Sequence, residues 1–429
     1  MTPNRLSCYF SDSDRYTDIQ KLFRQSSAFG NQQDYLGDVS ALGASRLVNA
    51  SSDLFRKSDD GVIQEHLQTL EALVANLSLF EAKEPHDTIY AILSLAQDTG
   101  NRFLPERGER TQEAPVAILH DQAEFTEVEK AAAQKVVKVL KSAVLDRYPV
   151  DYVKPFFDVC KDFMSFTFEK SESLDMICRP WAPARVADLP SWITSLNKSA
   201  YRPATDQINS RVNADTFVGL PANGKRNYNA SRGKSVKGNW RMGSGNSHKS
   251  LFVKGFILDA IKIKKMPAQQ GNVPSEWLDD DICEWSGISG EPPDRFWRTL
   301  VADRGPEGLN PQPYYQLACQ HAFRQRASGD DLNTKALMMS DRTPQVVVEF
   351  LQRVQSAVWM RRLMLSAKGG YLGLAPKEAK KHDSICVLYG CSVPVLLRKV
   401  IGDERTGDYY YKFIGECYVH GMMDGEALR

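Results

Sequence analysis

The hydrophobic period of this chain changes near its C-terminal end, and that change limits what it can fold into. Before about residue 358 most apolar residues recur every three or four positions, the mark of helices with one buried face. From Arg362 onward they alternate in short runs: "RLMLS", "YLGL", "SICVLYG", "VPVLLRKV" and "YYYKFIGECYVHG". Gly, Pro and Asp clusters, such as Gly369-Gly370, separate the runs. Short strands punctuated in this way predict a small barrel or curled sheet. The fold class is therefore α+β: a helical layer plus a small antiparallel β barrel or sheet module at the C-terminus.

The helical part reads as several segments. "GVIQEHLQTLEALVANLSLF" places Ile63, Leu67, Leu70, Val74 and Leu77 on one face and ends before Pro85. Asp87 is placed to cap "TIYAILSLA". Thr126 and Glu129 have capping-box spacing before a helix with Val136, Leu140 and Val144 on one side. Phe156, Cys160 and Phe163 define another helix. "DRFWRTLVADRG", "YYQLACQHAFRQR" and "TPQVVVEFLQRVQSAVWMRR" read as helices too, the last with Pro344 in its first turn.

"LFVKGFILDAIKI" is rich in branched residues and reads as a strand. Short hairpins need further partners to hide their edges, so residues 251–263 are expected to pair with strands from 362–420. The division that follows is 1–48, poorly patterned; 49–200, helical; 201–263, basic loop and strand; 264–358, a mostly helical insertion; and 359–429, the β module. "RPWAPARVADLPSWITS" joins the first regions and, with two tryptophans beside prolines, reads as an ordered, packed connector.

Composition excludes several function classes. The chain has 429 residues, 54 basic and 53 acidic, so it is not a polycation spread over nucleic acid. A chain this long can bury roughly 70–75% of its unfolded surface without staples. Its 8 cysteines are scattered, as expected of thiols in a reducing compartment. No long apolar run and no secretory pattern at the N-terminus are visible, so the expectation is a cytoplasmic protein that does not enter a membrane.

The C-terminal "GECYVHGMMDGEALR" concentrates Glu416, Cys417, His420, Asp424 and Glu426, all metal-ligand or acid–base types. On a strand Glu416, Tyr418 and His420 face one way, and Cys417 and Val419 the other. A metal site using both Cys417 and His420 would need a bulge, so the expected reading is a strand and turn. Cys386 and Cys391 lack the second close pair that structural zinc requires and read as small buried residues. Asp279, Asp280 and Asp281 read as a surface charge run before a cation site. No cofactor or metal is expected.

Residues 219–250 carry Lys225, Arg226, Arg232, Lys234, Lys237 and Arg241, no acidic residue, and the aromatics Tyr228 and Trp240. Cations that track phosphates and aromatics that stack on bases are the material of single-strand binding. The alternative is a solvated loop balanced by the acidic run near Asp279, and it is preferred because no nucleic-acid fold motif accompanies the stretch.

The order of several segments resembles the downstream half of fungal heterokaryon-incompatibility (HET-domain) proteins. They are "EPHDTIYAILSLA", "DYVKPFFDVCKDFM", "LPSW", "YNASRGK", "LFVKGFILDAI", "GYLGLAP", "DSICVLYGCSVPVLLR" and "FIGECYVHGMMDGEA", spanning about residues 80–429. Asp87 and Tyr90 match an Asp-x-x-Tyr element, with His86 where relatives carry a basic residue, and Trp192 matches Leu-Pro-Ser-Trp. Gly390, Pro394, Leu397 and Arg398 match a third element, and Gly415, Glu416, Tyr418, Val419, Gly421 and Glu426 the terminal one. The family's usual opening HET domain, related to TIR folds, has no counterpart in the motifs of this sequence.

The resemblance implies a truncated, cytoplasmic participant in fungal allorecognition and programmed cell death, without an effector module of its own. The expected role is a non-enzymatic accessory or regulatory portion acting by protein–protein contacts, with other HET-family proteins among its partners. The alternatives are a nucleic-acid-binding module using residues 219–250 and a truncated, non-functional paralogue.

Overall fold

One strand organises the C-terminal sheet: β5, Gly255–Pro267, which pairs antiparallel with β6 (Arg361–Ser366) on one side and β8 (Ser384–Leu388) on the other. The computed structural model describes residues 54–78, 82–100, 148–196, 216–219, 226–287, 289–305, 308–327, 329–403 and 408–429. With β7 (Leu372–Pro376), β9 (Val395–Asp403), β10 (Asp408–Glu416) and β11 (Tyr418–Val419), the strands form one seven-stranded sheet in the order β10-β9-β8-β5-β6-β7-β11. The pairing of the 251–263 region with C-terminal strands, expected from their need for partners, is present.

The sheet curls but does not close into a barrel. β10 bonds to β9 at one edge and β11 to β7 at the other, yet only Cys417 separates β10 from β11 in the chain. The two edges therefore lie side by side. At this seam Gly415 abuts Pro376 of β7, where a Cβ would come within 2.8 Å of the ring. Pro376 offers no N–H, so close packing replaces a ladder there. The curl encloses a small core of Ile261, Met364, Ala375, Ile385, Leu396, Cys417 and Val419. The opposite face, with Leu363, Leu374, Leu388, Val395 and Tyr418, joins the main core shared with the helices.

Those helices are α1 (Leu70–Leu77), α2 (Asp87–Tyr90), α3 (Phe156–Ser171), α4 (Asp294–Leu300), α5 (Tyr315–Arg324), α6 (Thr334–Met339) and α7 (Gln345–Val358). Pro344 is the N-cap of α7, one position earlier than its first turn. The connector after α3 is packed as expected: Trp181 is fully buried against Phe163, ring centroids 4.7 Å apart. Further hairpins are β1 (Phe55–Lys57) with β2 (Ile63–His66), and β3 (Trp240–Met242) with β4 (Leu251–Val253).

Two local expectations are corrected. Ile63 and Leu67 are not in α1, because the turn at Gly61 (φ +80°) sends residues 63–66 back along β1. The helix begins only after Thr69, whose side chain accepts the Ala72 N–H. Asp87 does not cap α2: His86 holds that position, and Asp87 Oδ1 accepts the Tyr152 hydroxyl at 2.6 Å. The helix read around Thr126 and Glu129 lies outside the described residues.

Gly390 ties the layers. Its φ is +90°, a Cβ there would meet Val236 Cβ at 2.9 Å, and its carbonyl accepts the Leu174 N–H at 2.9 Å. Gly390→Ala should therefore lower stability by about 1–3 kcal/mol through strain and overpacking. Urea unfolding checks this, and an unchanged midpoint at constant slope would contradict it.

Candidate functional site

A buried polar cluster lies where α7 runs into β6 and the last strands return. Arg361 follows α7 by three residues and is 4% exposed. Its guanidinium donates to the Ala357 carbonyl at 2.6 Å, near the helix C-terminus where positive charge is favoured. It also pairs with Glu416 Oε1 at 2.8 Å and lies 3.7 Å from the Phe217 ring centroid. Glu416, also 4% exposed, accepts the Phe217 N–H with both oxygens (2.9 and 3.0 Å) and the Val218 N–H at 3.3 Å.

A second buried pair holds the other end of that segment. Arg179 donates to the Gly219 carbonyl through Nε (3.2 Å) and Nη2 (3.0 Å), and to Glu71 Oε1 at 2.5 Å. Burial pushes the Glu71 carboxyl above its ordinary range, and Arg179 opposes that shift. Two cation–carboxylate pairs thus hold the short segment 216–219 against α1, α7 and the sheet. These bonds make the cluster a clamp on segment 216–219.

Beside the clamp is an open cleft of about 360 Å³, lined by Arg226, Asn227, Tyr228, Asn229, Gly233 and Asp424. The Tyr228–Lys234 loop forms one wall. Asn229 Oδ1 accepts the Gly233 N–H at 2.7 Å, and Asp424 Oδ1 accepts the Asn229 N–H at 3.1 Å. Arg304 holds two of these lining residues, pairing with Asp424 at 2.9 Å and lying 4.3 Å from the Tyr228 ring centroid.

The chain end separates its reactive types as expected from strand alternation. Cys417 and Val419 enter the small core, while Tyr418 enters the main one. The Tyr418 hydroxyl shares a 3.1 Å hydrogen bond with His420 Nδ1, and burial lowers the His420 pKa. Among the described residues no group of three or more His, Cys, Asp or Glu side chains could hold a metal ion. Cys386 and Cys391 are both buried, and Cys391 faces Cys178 with sulfurs 3.8 Å apart.

The other family-motif positions lie apart from one another. Tyr90 bonds the Asp151 carbonyl at 3.3 Å, beside Asp87. Trp192 Nε1 donates to the Lys249 carbonyl at 2.9 Å. Arg398 grips Asp383 with two bonds, 2.7 and 2.8 Å. The Pro394 carbonyl accepts the Cys417 N–H at 2.9 Å. Gly421 adopts φ +75° in the turn after β11, and Glu426 accepts the Asp424 N–H at 2.7 Å.

The basic stretch is dismantled as a stacking platform. Tyr228 is buried, its hydroxyl bonded to the Ala302 carbonyl, and Trp240 packs on Phe168 at 5.1 Å. Lys237 pairs with Glu172, Arg226 lies 4.0 Å from Asp175, and Arg241 covers the Phe252 ring at 3.8 Å. Arg232 and Lys234 are exposed, and Lys225 lies outside the described residues. The acidic run does not balance this loop: Asp279 and Asp281 both engage Lys265, at 2.8 and 2.5 Å.

Sequence reasoning missed Arg361, Arg179, Glu71 and Arg304. Glu416, a lone carboxylate in the apolar run "FIGECYV", was the available signal, because a buried carboxylate requires a cation.

Comparison with known proteins gives this architecture a context. Residues 315–429, which include β6–β11, Arg361 and Glu416, match the family model of the Het-6 beta-barrel domain. This part of the chain is therefore similar to a domain named for heterokaryon incompatibility. Over 59 residues it is 39% identical to heterokaryon incompatibility protein 6, OR allele, of Neurospora crassa. That match covers 14% of this chain and 8% of the relative. No solved structure matches.

Two outcomes follow. Glu416→Leu or Arg361→Met alone should cost about 3–5 kcal/mol, since each leaves a buried charge unpaired. The double variant should be less destabilised than the sum of the two, and strict additivity in a denaturation cycle would contradict the pairing. Burial raises the thiol pKa of Cys386 to about 12 and those of Cys178, Cys319 and Cys417 well above the usual thiol value. These four should resist iodoacetamide in the folded chain and react after unfolding, with labelled peptides read by mass spectrometry. Native labelling of Cys417 would contradict its burial.

Proposed function

We propose that this chain is a non-enzymatic accessory or regulatory portion of a fungal heterokaryon-incompatibility system, acting through contacts with other proteins in the cytoplasm. What supports this reading is the use of the family-typical side chains. Asp87, Trp192, Arg398 and Glu416 each bond a neighbouring segment instead of converging on one cleft. A set of positions spent on holding surfaces in place suits a protein that presents a shape to a partner.

No helix of the described residues is long and apolar enough to cross a membrane, which is compatible with that location. The relative's name speaks of heterokaryon incompatibility, and the role proposed here extends that theme to a chain matching it over only a short stretch.

The test is expression in a filamentous fungus. The chain alone should leave growth and viability unchanged, and co-expression with an intact relative should shift the strength of the incompatibility reaction. Death caused by the chain alone, or no shift on co-expression, would overturn the proposal.

A further inference from the structure

The hairpin of β9 and β10 leaves the core beyond Phe413. Ile401 is 64% exposed, Tyr409 55% and Tyr410 57%, on a ribbon whose base is buried at Val395, Leu396 and Phe413. Tyr409 and Tyr411 stack edge to face at 5.8 Å, and the Lys399 ammonium lies 3.9 Å from the Tyr409 ring centroid. A two-stranded ribbon with apolar side chains in water is marginal by itself. Among the described residues β9 is the only strand paired with β10, which leaves the other edge of β10 without a strand.

The geometry of that edge can be assigned. The Phe413 N–H donates to Ser191 Oγ at 2.9 Å, so it points away from β9. The register runs without a bulge from Tyr409 to Phe413. Strand alternation therefore turns the N–H and C=O groups of Tyr411 and Tyr409 outward as well. No proline interrupts this stretch, its bulges lie at its two ends, and its charges, Asp408 and Lys412, flank the three tyrosines.

The sequence along the edge is its own complement. Asp408-Tyr409-Tyr410-Tyr411-Lys412, reversed about Tyr410, sets acid against base and tyrosine against tyrosine. Lys412 lies opposite Arg398 in the β9 register, so its own sheet gives it a like-charged neighbour.

We propose that this edge joins two copies of the chain. The β10 strands would pair antiparallel about a twofold axis at Tyr410. Tyr409 of one copy would exchange both backbone hydrogen bonds with Tyr411 of the partner subunit, and Asp408 would face Lys412 of the partner subunit. The two Tyr410 residues would meet at the axis as a non-hydrogen-bonded pair, where side chains approach more closely. The interface is isologous, as a C2 dimer requires. With about five residues a side it falls below the size of stable complexes, so self-association should be weak, with a Kd on the order of 10–100 μM. This inference does not depend on the role proposed above.

The test is sedimentation equilibrium of the full chain from low to high micromolar concentration. The natural chain should show a reversible monomer–dimer equilibrium. Asp408→Lys alone and Lys412→Asp alone each set like charges against each other twice per dimer and should weaken it roughly tenfold. The double variant Asp408→Lys/Lys412→Asp restores opposite charges and should recover the natural affinity. All three variants change only Asp408 and Lys412, which lie on the exposed arm, so circular dichroism should be unaltered. A natural chain that stays monomeric throughout, as it would if the edge serves a strand of a different protein, overturns the proposal. So does a dimer insensitive to the single changes, or one that the double change fails to restore.

Discussion

The Glu416–Arg361 pair is the constraint on which the arrangement of the C-terminal half depends. Two charges placed 2.8 Å apart and almost fully buried are tolerable only when their remaining hydrogen-bonding capacity is met. Arg361 meets it with the end of α7, and Glu416 with the amides of Phe217 and Val218. One ion pair therefore fixes three things together: where the helix stops, where the last long strand ends, and where segment 216–219 docks. A fully apolar pairing could be as stable, but it would not orient those amides.

The same point in the chain is the seam of the sheet. Glu416 ends β10, Cys417 turns into the small core, and Tyr418 begins β11 on the far edge of the sheet. The residue types that make "GECYVHG" look reactive are distributed by strand alternation to different environments. The carboxylate meets an arginine, the sulfur an apolar interior, and the imidazole a tyrosine hydroxyl. That distribution is why the chain end closes a layer, and why the nearby cleft is built from the Tyr228–Lys234 loop and Asp424.

Elements with strong local signals were legible in the sequence. The period-2 runs after Arg362 became strands, Phe156–Ser171 became a helix, and the tryptophan-bearing connector is packed. The opposite faces of Cys417 and His420 followed from backbone geometry alone. What was not legible depended on distant partners. Ile63 and Leu67 fit a helical face, but the turn at Gly61 and pairing with β1 prevailed over that pattern. Tyr228 and Trp240 looked free to stack on bases because nothing local reveals that Ala302 and Phe168 occupy them. The clamp joins positions up to 199 residues apart, and no spacing rule connects Arg361 with Phe217 and Glu416.

The central claim is that Glu416 holds segment 216–219 in place as firmly as a strand of the sheet. Amide hydrogen exchange of the folded chain measures this directly. The account requires the Phe217 and Val218 amides, which belong to no helix or strand, to exchange as slowly as those of β6 and β8. Exchange of these two amides at the rate of an open loop, with the strands still protected, would contradict it.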